Sequence, residues 1–193
     1  FRDVLGYRQS NRPDVYSLTP RRPAELVPRA LRFELTERLD SAGRVLTPLD
    51  EPALASLITE IREAAPEAIA VSFLFSYLNV GHEQRVGDAL RAAFPELPVT
   101  LSSEVAREFR EYPRTATAGI NAALRPLVER RPTRAAGALA DSGVEAPFLV
   151  MQSNGGLTEA GRFQGKDAIL SGPAGGIVGA ARTAAMGGFE RII

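Results

Sequence analysis

Apolar and polar residues alternate from Leu31 to Leu39, Leu-Arg-Phe-Glu-Leu-Thr-Glu-Arg-Leu, which is the period of a strand with one wet face. Asp40-Ser41-Ala42-Gly43 reads as a turn and Arg44 to Leu46 as the returning strand, so the pattern predicts a hairpin. The period then changes. Asp50 is placed to cap a helix with Pro52 near its first turn, Leu54, Leu57, Ile58 and Ile61 recur at helical spacing, and Pro66 ends the run. Ala68 to Phe75 is nearly continuous apolar sequence, as in a strand buried on both faces. A second helix starts at Asn79 or Gly81 and carries Val86, Leu90 and Phe94 on one stripe, and Val99 to Ser102 reads as another strand. Helix, strand, helix, strand over residues 51–102 predicts an α/β layer fold with right-handed crossovers.

A long helix is predicted after Pro113, with Ala116, Ile120, Ala123, Leu124, Leu127 and Val128 on its apolar face. Pro126 and Pro132 are expected to kink or break it. Phe148 to Met151 reads as a strand that runs into a polar, glycine-bearing loop at Gln152 to Gly156, and Ala168 to Leu170 as a further short strand. A glycine-rich turn from Leu170 opens an apolar helix, Met186-Gly187-Gly188 closes it, and Phe189 to Ile193 reads as the start of a buried strand. Residues 1–29 are rich in Arg and Pro, with prolines at 13, 20, 23 and 28, and read as extended and irregular after a short start at Arg2 to Tyr7. The expected organisation is therefore an extended segment plus β-hairpin over residues 1–50, then an α/β portion over 51–193 with a helical insertion at about 108–142. The series breaks off inside a predicted strand and the first Met is Met151, so a piece of a longer protein is expected.

Composition narrows the partners. The 193 residues are 45% hydrophobic and 24% charged, ordinary for a folded domain. The 23 basic and 23 acidic residues cancel, which gives no overall field toward nucleic acid or an anionic membrane. No apolar run approaches the roughly 20 residues of a spanning helix. Zero Cys excludes disulfides and thiol chemistry and fits a cytoplasmic protein; a single His, His82, excludes a multi-His metal site within this chain. Asp3, Asp14 and Asp50 are too scattered to form a metal cluster.

Three segments carry candidate chemistry. In Ser171-Gly172-Pro173-Ala174-Gly175-Gly176 the amides at a helix start can hold an anion, although the small face formed by Gly176, Ala180, Thr183 and Gly187 makes close helix packing the stronger reading on spacing alone. Ser153-Asn154-Gly155-Gly156 follows a strand, where open α/β sheets bind ligands, although Asn-Gly is a strong turn former and a simple turn is the stronger reading on sequence alone. In Glu108-Phe109-Arg110-Glu111-Tyr112-Pro113-Arg114, the two cations Arg110 and Arg114 can clamp a carboxylate or phosphate, against the alternative of a solvated face with local ion pairs. Thr115 and Thr117 either cap the helix or face a site, and His82 reads as a capping or surface residue.

Taken together, the chain resembles the hydantoinase A/5-oxoprolinase family. The resemblance is carried by Phe1-Arg-Asp-Val4, Asn11-Arg-Pro-Asp14, Leu31-Arg-Phe-Glu34, and Val71 to Asn79 with His82-Glu83. It continues through Glu108 to Tyr112 with Arg114-Thr115, Met151 to Leu157 and Ser171 to Gly176, and so covers essentially the whole chain in order. It implies part of an actin-like (ribonuclease H-like) ATPase fold, with a mixed sheet flanked by helices, and an ATP-dependent opening of cyclic amides in the longer protein. An unstrained amide is a poor electrophile, so phosphorylation of its oxygen would activate the ring toward water. The family's two phosphate loops, Gly-Gly-Thr-Phe-Thr-Asp and Asp-Met-Gly-Gly-Thr-Ser-Thr-Asp, are expected before Phe1 and after Ile193. The resemblance therefore implies ATP and Mg²⁺ in the longer protein, no cofactor held by this segment alone, no assigned nucleophile or base, and a hydantoinase B-type subunit and a small cyclic amide as partners. The residues it brings near substrate or nucleotide are Arg110, Arg114, Ser153, Asn154, Gly155, Gly156, Ser171, Gly172, Gly175 and Gly176. Two other functions remain open at this stage: a related ATP-dependent ketone carboxylase subunit, and a stand-alone, non-catalytic subunit-interaction module.

Overall fold

The computed structural model of the chain describes residues 1–8, 15–19, 24–128 and 130–192. The chain falls into two compact units, Phe1–Ala122 and Ala123–Ile193.

In the first unit a short helix, α1 (Val4–Tyr7), and a tight turn at Arg29–Leu31 punctuate irregular chain. The stretches at 9–14 and 20–23, where further extended chain is expected, lie outside the described residues. Arg2 pairs with Glu34 at 2.7 Å and Arg29 with Asp3 at 2.9 Å, so charged contacts tie this segment down. The predicted hairpin forms, but only Arg38–Leu39 (β1) pairs with Val45–Thr47 (β2), antiparallel and with a register shift. Asp40 shapes its turn: Oδ1 accepts from the amides of Ala42 and Arg44, and Oδ2 from Arg44 Nε. The alternation that begins at Leu31 reports burial rather than a ladder, because Phe33 and Leu35 pack on the core without a partner strand.

Helix α2 (Glu51–Ala64) is capped as expected, with Asp50 Oδ1 accepting from the Ala53 amide at 3.0 Å. Leu54, Leu57 and Ile61 are its buried face, and left-handed Ala65 followed by Pro66 stops it. Next come β3 (Ile69–Val71), α3 (Gly81–Ala93) and β4 (Val99–Leu101); β3 and β4 pair in parallel, Ile69 opposite Val99 and Val71 opposite Leu101. This strand–helix–strand unit and α2 enclose the core of Leu54, Leu57, Ile61, Val71, Val86, Leu90, Val99 and Leu101. Gly87 lets α3 close on β4, since a Cβ there would lie 2.8 Å from Leu101 Cδ2. Phe33, Leu35 and Leu49 pack against this same core.

Two strands are shorter than their apolar runs. The run Ala68–Phe75 yields only β3, because the Phe73 amide bonds to the Glu83 side chain and the chain turns at Phe75 with φ 61°. Ser102, predicted to end a strand, begins the short helix α4 (Ser102–Val105).

Helix α5 (Glu111–Val128) contradicts the predicted face. Its buried residues are Arg114, Ala118, Gly119, Asn121 and Ala122, whereas Ala123 is exposed and Leu127 is 68% exposed. The inward side is small and polar: Gly119 admits Leu26, whose Cδ2 lies 3.3 Å from an ideal Cβ, and Arg114 joins a buried network described below. Pro126 lies inside α5, and Pro132 lies within α6 (Arg130–Asp141).

In the second unit α6 is followed by β5 (Leu149–Met151) and β6 (Leu157–Glu159), an antiparallel hairpin whose second strand the pattern did not predict. A turn at Ala160–Arg162 and the short helix α7 (Gly165–Ala168) lead to α8 (Ser171–Met186). The strand expected at Ala168 to Leu170 does not form, because the Leu170 amide and the Asp167 carbonyl bond to Ser153 instead of to a neighbouring strand. Phe189 to Ile192 form no strand, and Ile193 lies outside the described residues. Among the described residues the strands form three two-stranded sheets, one parallel and two antiparallel, interspersed with helices, so the α/β class with mixed strand sense is as expected. No helix of the described residues is long and apolar enough to cross a membrane.

Candidate functional site

The carboxyl ends of the parallel strands β3 and β4 converge on a buried polar network. Glu83, on the first turn of α3, is 0% exposed. Its Oε1 accepts from the Phe73 amide at 3.0 Å and the Ser102 hydroxyl at 2.6 Å, and its Oε2 from the Ser103 amide at 2.9 Å. Arg114, on the first turn of α5, is 1% exposed and donates from Nε to Ser102 Oγ, from one terminal nitrogen to the Glu108 carbonyl, and from the other to the Phe73 carbonyl. The Ser102 hydroxyl thus links carboxylate to guanidinium. Burial pulls the Arg114 pKa below the usual arginine range, and the fields of Glu83, Glu111 and Tyr77 oppose that shift. Arginine stays charged regardless. Ser76 adds bonds to the Phe73 carbonyl and to Ser102, and Ser72 pairs with Thr115 at 2.8 Å, so Thr115, within α5, ties the helix to the loop after β3.

This network fixes two loops at once, Ser72–Val80 after β3 and the stretch from Ser103 to Arg110 after β4. On it stand three aromatic rings: Phe75 lies 6.3 Å from Tyr77, Tyr77 meets Phe109 edge-on at 6.1 Å, and Arg114 covers Tyr77 at 5.4 Å. Arg107 Nε bonds the Tyr77 carbonyl at 2.9 Å. The two candidate cations separate by environment. Arg110 is exposed with φ 86°, whereas Arg114 is not part of a solvated face: its bonded nitrogens meet protein acceptors. His82, expected at a surface, is half-buried with Nδ1 2.7 Å from Glu37 Oε2.

The second unit gathers the other candidates. Ser153 sits at the turn of the β5–β6 hairpin; its hydroxyl donates to the Asp167 carbonyl at 2.6 Å and accepts from the Leu170 amide at 3.0 Å. Asn154 Oδ1 accepts from the Gly156 amide at 2.8 Å, and Gly155 adopts φ 82° with Val178 Cγ2 3.2 Å from an ideal Cβ. The turn therefore lies against the middle of α8. Ser171 Oγ donates to the Ala168 carbonyl, and Gly175 faces Met151, whose Cγ lies 3.5 Å from an ideal Cβ. Gly172 and Gly176 have nothing within 4 Å of an added Cβ, and α8 has no buried residue. Ser153, Asn154, Gly155, Gly156, Ser171 and Gly175 thus share one neighbourhood, while Arg110 and Arg114 belong to the other unit.

Sequence reasoning passed over Glu83, Ser102 and Tyr77. The signal for Glu83 was its position one turn into a helix that follows a buried strand, beside His82 in a segment already singled out. Among the described residues no group of three or more His, Asp or Glu side chains gathers where it could hold a metal ion.

A parallel strand–helix–strand unit with polar loops at its carboxyl ends defines an α/β protein. Two models, the hydantoinase/oxoprolinase N-terminal region and hydantoinase/oxoprolinase, match residues 1–94 and 114–193, and the chain belongs to the hydantoinase/oxoprolinase family. Caprolactamase subunit alpha of Pseudomonas jessenii is 40% identical over 151 residues, 77% of this chain and 22% of that protein. The crystal structure of ATP-dependent caprolactamase from the same organism superposes with a TM-score of 0.85 at 36% identity, over 97% of this chain and 28% of that one. A nucleotide-free acetone carboxylase structure gives a TM-score of 0.82 at 29% identity, over 97% of this chain and 27% of that one. The chain has the fold of the corresponding part of these actin-like ATPases and spans about a quarter of the length of these three relatives.

Proposed function

We propose that this chain is the central part of an ATP-dependent cyclic-amide hydrolase subunit of the hydantoinase/5-oxoprolinase type, and that it is inactive by itself. The observation that carries the reading is the superposition, over nearly its whole length, on ATP-dependent caprolactamase at 36% identity. In this reading ATP and Mg²⁺ act in the longer protein, whose two phosphate loops have no counterpart in these 193 residues. The residues proposed to lie near substrate or nucleotide are Arg110 with Arg114 in the first unit and, in the second, the hairpin turn Ser153–Gly156 with the helix start Ser171–Gly176. A second, B-type subunit is the expected partner, in keeping with a relative that is itself a subunit alpha.

Isothermal titration of the 193-residue chain with Mg-ATP is expected to show no specific binding; micromolar affinity overturns the inert-segment claim. The protein containing this chain is expected to hydrolyse 5-oxoproline, a hydantoin or a lactam with ATP consumption. A ketone carboxylase is the second reading, favoured by the acetone carboxylase superposition. ATP-dependent carboxylation of acetone without lactam turnover selects it.

A further inference from the structure

The turn that carries Phe109 and Arg110 holds features that the fold does not use. Four non-glycine residues among those described have positive φ, and two of them, Phe75 and Arg110, lie in the loops at the carboxyl ends of β3 and β4. A left-handed conformation is disfavoured for a residue with a Cβ, and such residues persist where the surroundings impose them, most often at ligand sites. The imposition here is visible: Arg114 bonds the Glu108 carbonyl through its side chain and the Arg110 carbonyl through its amide. Arg110 itself gains nothing from the arrangement. Its side chain is exposed and makes no hydrogen bond or ion pair with a described residue. Beside it Phe109 is 66% exposed, braced edge-on by Tyr77. Arg107, the other nearby cation, already spends Nε on the Tyr77 carbonyl. Glu108 and Glu111 flank Arg110 in sequence and weaken a purely electrostatic attraction, so a fitting ligand joins charge to an apolar body.

We propose that Arg110 and Phe109 form a binding contact for a ligand that carries an oxyanion, carboxylate or phosphate, on a compact ring or chain, with Arg114 as the residue that positions them. Arg110 meets the oxyanion and the Phe109 ring covers the apolar part. The inference rests on the proposed cyclic-amide reading for its substrate class. It divides the two arginines: one touches ligand, and the other holds the loop through the Glu108 and Phe73 carbonyls and the Ser102 hydroxyl.

The test uses the full-length protein with Arg110→Gly and Arg110→Lys. Arg110→Gly relaxes the positive φ and removes the cation, so its Tm is expected to equal or exceed that of the wild type while a KM rises about tenfold or more, as for a lost charge-assisted contact. Arg110→Lys is expected to retain part of the affinity. If the oxyanion is the substrate carboxylate, KM rises for 5-oxoproline and not for caprolactam, which has none, nor for Mg-ATP. If it is a phosphate, KM for Mg-ATP rises with either lactam. Unchanged KM values throughout, or a lower Tm for Arg110→Gly, overturn the proposal. A wild type that turns over neither lactam overturns the functional reading instead. The inference is then decided by thermal stabilisation with 5-oxoproline or inorganic phosphate: stabilisation lost in Arg110→Gly supports it, and equal or absent stabilisation overturns it.

Discussion

Replacing Arg114 with methionine removes the guanidinium and keeps most of the side-chain volume, so it isolates the polar role of this residue. Three hydrogen bonds disappear, to Ser102 Oγ and to the carbonyls of Phe73 and Glu108. Glu83, fully buried, loses the positive charge that faces it. Individual bonds to a charged group contribute about 1.5–3 kcal/mol, but they share one cluster and do not add. Removing one side of a buried charge cluster costs about 3–5 kcal/mol, and relief of the guanidinium's own desolvation and the retained apolar stem put the net near the lower figure, about 3 kcal/mol. That is a large fraction of a domain stability of about 5–15 kcal/mol. With an m-value of about 2 kcal/mol per molar urea, the unfolding midpoint is expected to fall by about 1.5 M. Arg114→Lys keeps the charge, but one ammonium cannot span three acceptors, and an intermediate shift is expected. A midpoint change below about 0.5 M for Arg114→Met would refute the reasoning. The cycle with Glu83→Gln is the sharper check: the two losses should fall short of additivity by at least about 1 kcal/mol, and full additivity means the residues do not act as one cluster.

Other outcomes follow from single contacts. Asp50→Ala removes the cap of α2 and is expected to cost about 1 kcal/mol by thermal unfolding, with Asp50→Asn recovering most of it. Gly87→Ala gains helix propensity, about 1 kcal/mol, but drives a methyl to 2.8 Å from Leu101 Cδ2 in the core; a net loss is expected, and a Tm at or above wild type shows that Leu101 yields freely. Asp40 has its pKa held below the ordinary carboxylate range, first by the Arg44 amide and then by the Arg44 side chain. In the window between the depressed folded value and the unfolded value, about 3.9, the unfolded chain binds the proton first. This contribution is therefore present above the unfolded value and lost as pH falls through the folded one. Asp40→Asn should flatten that part of the acid-unfolding profile, and an NMR titration that places Asp40 at or above the ordinary value sinks the assignment.

Hydrophobic period carried the reading far where one side chain answers one neighbour. The spacing of Leu54, Leu57 and Ile61, the cap at Asp50 and the stripe of Val86 and Leu90 all predict their elements, because an amphipathic helix against a core leaves its period in the sequence. The motifs also carried the family, since residue strings persist whether or not their contacts are known. What the sequence could not express is which backbone groups side chains would claim. The apolar run after Ala68 ends as a strand at Val71 because Glu83 takes the Phe73 amide, and the expected strand at Ala168 to Leu170 is lost because Ser153 takes the Asp167 carbonyl and the Leu170 amide. The inward face of α5 runs through Arg114, Ala118 and Asn121 and not through Leu127, because a buried guanidinium with its acceptors in place is as admissible in a core as a leucine. Local pattern fixes periodic elements and their apolar faces; pairings between residues 12, 20 and 41 positions apart, as in the network of Arg114 with Ser102, Glu83 with Ser103, and Arg114 with Phe73, exist only once the chain has closed on itself.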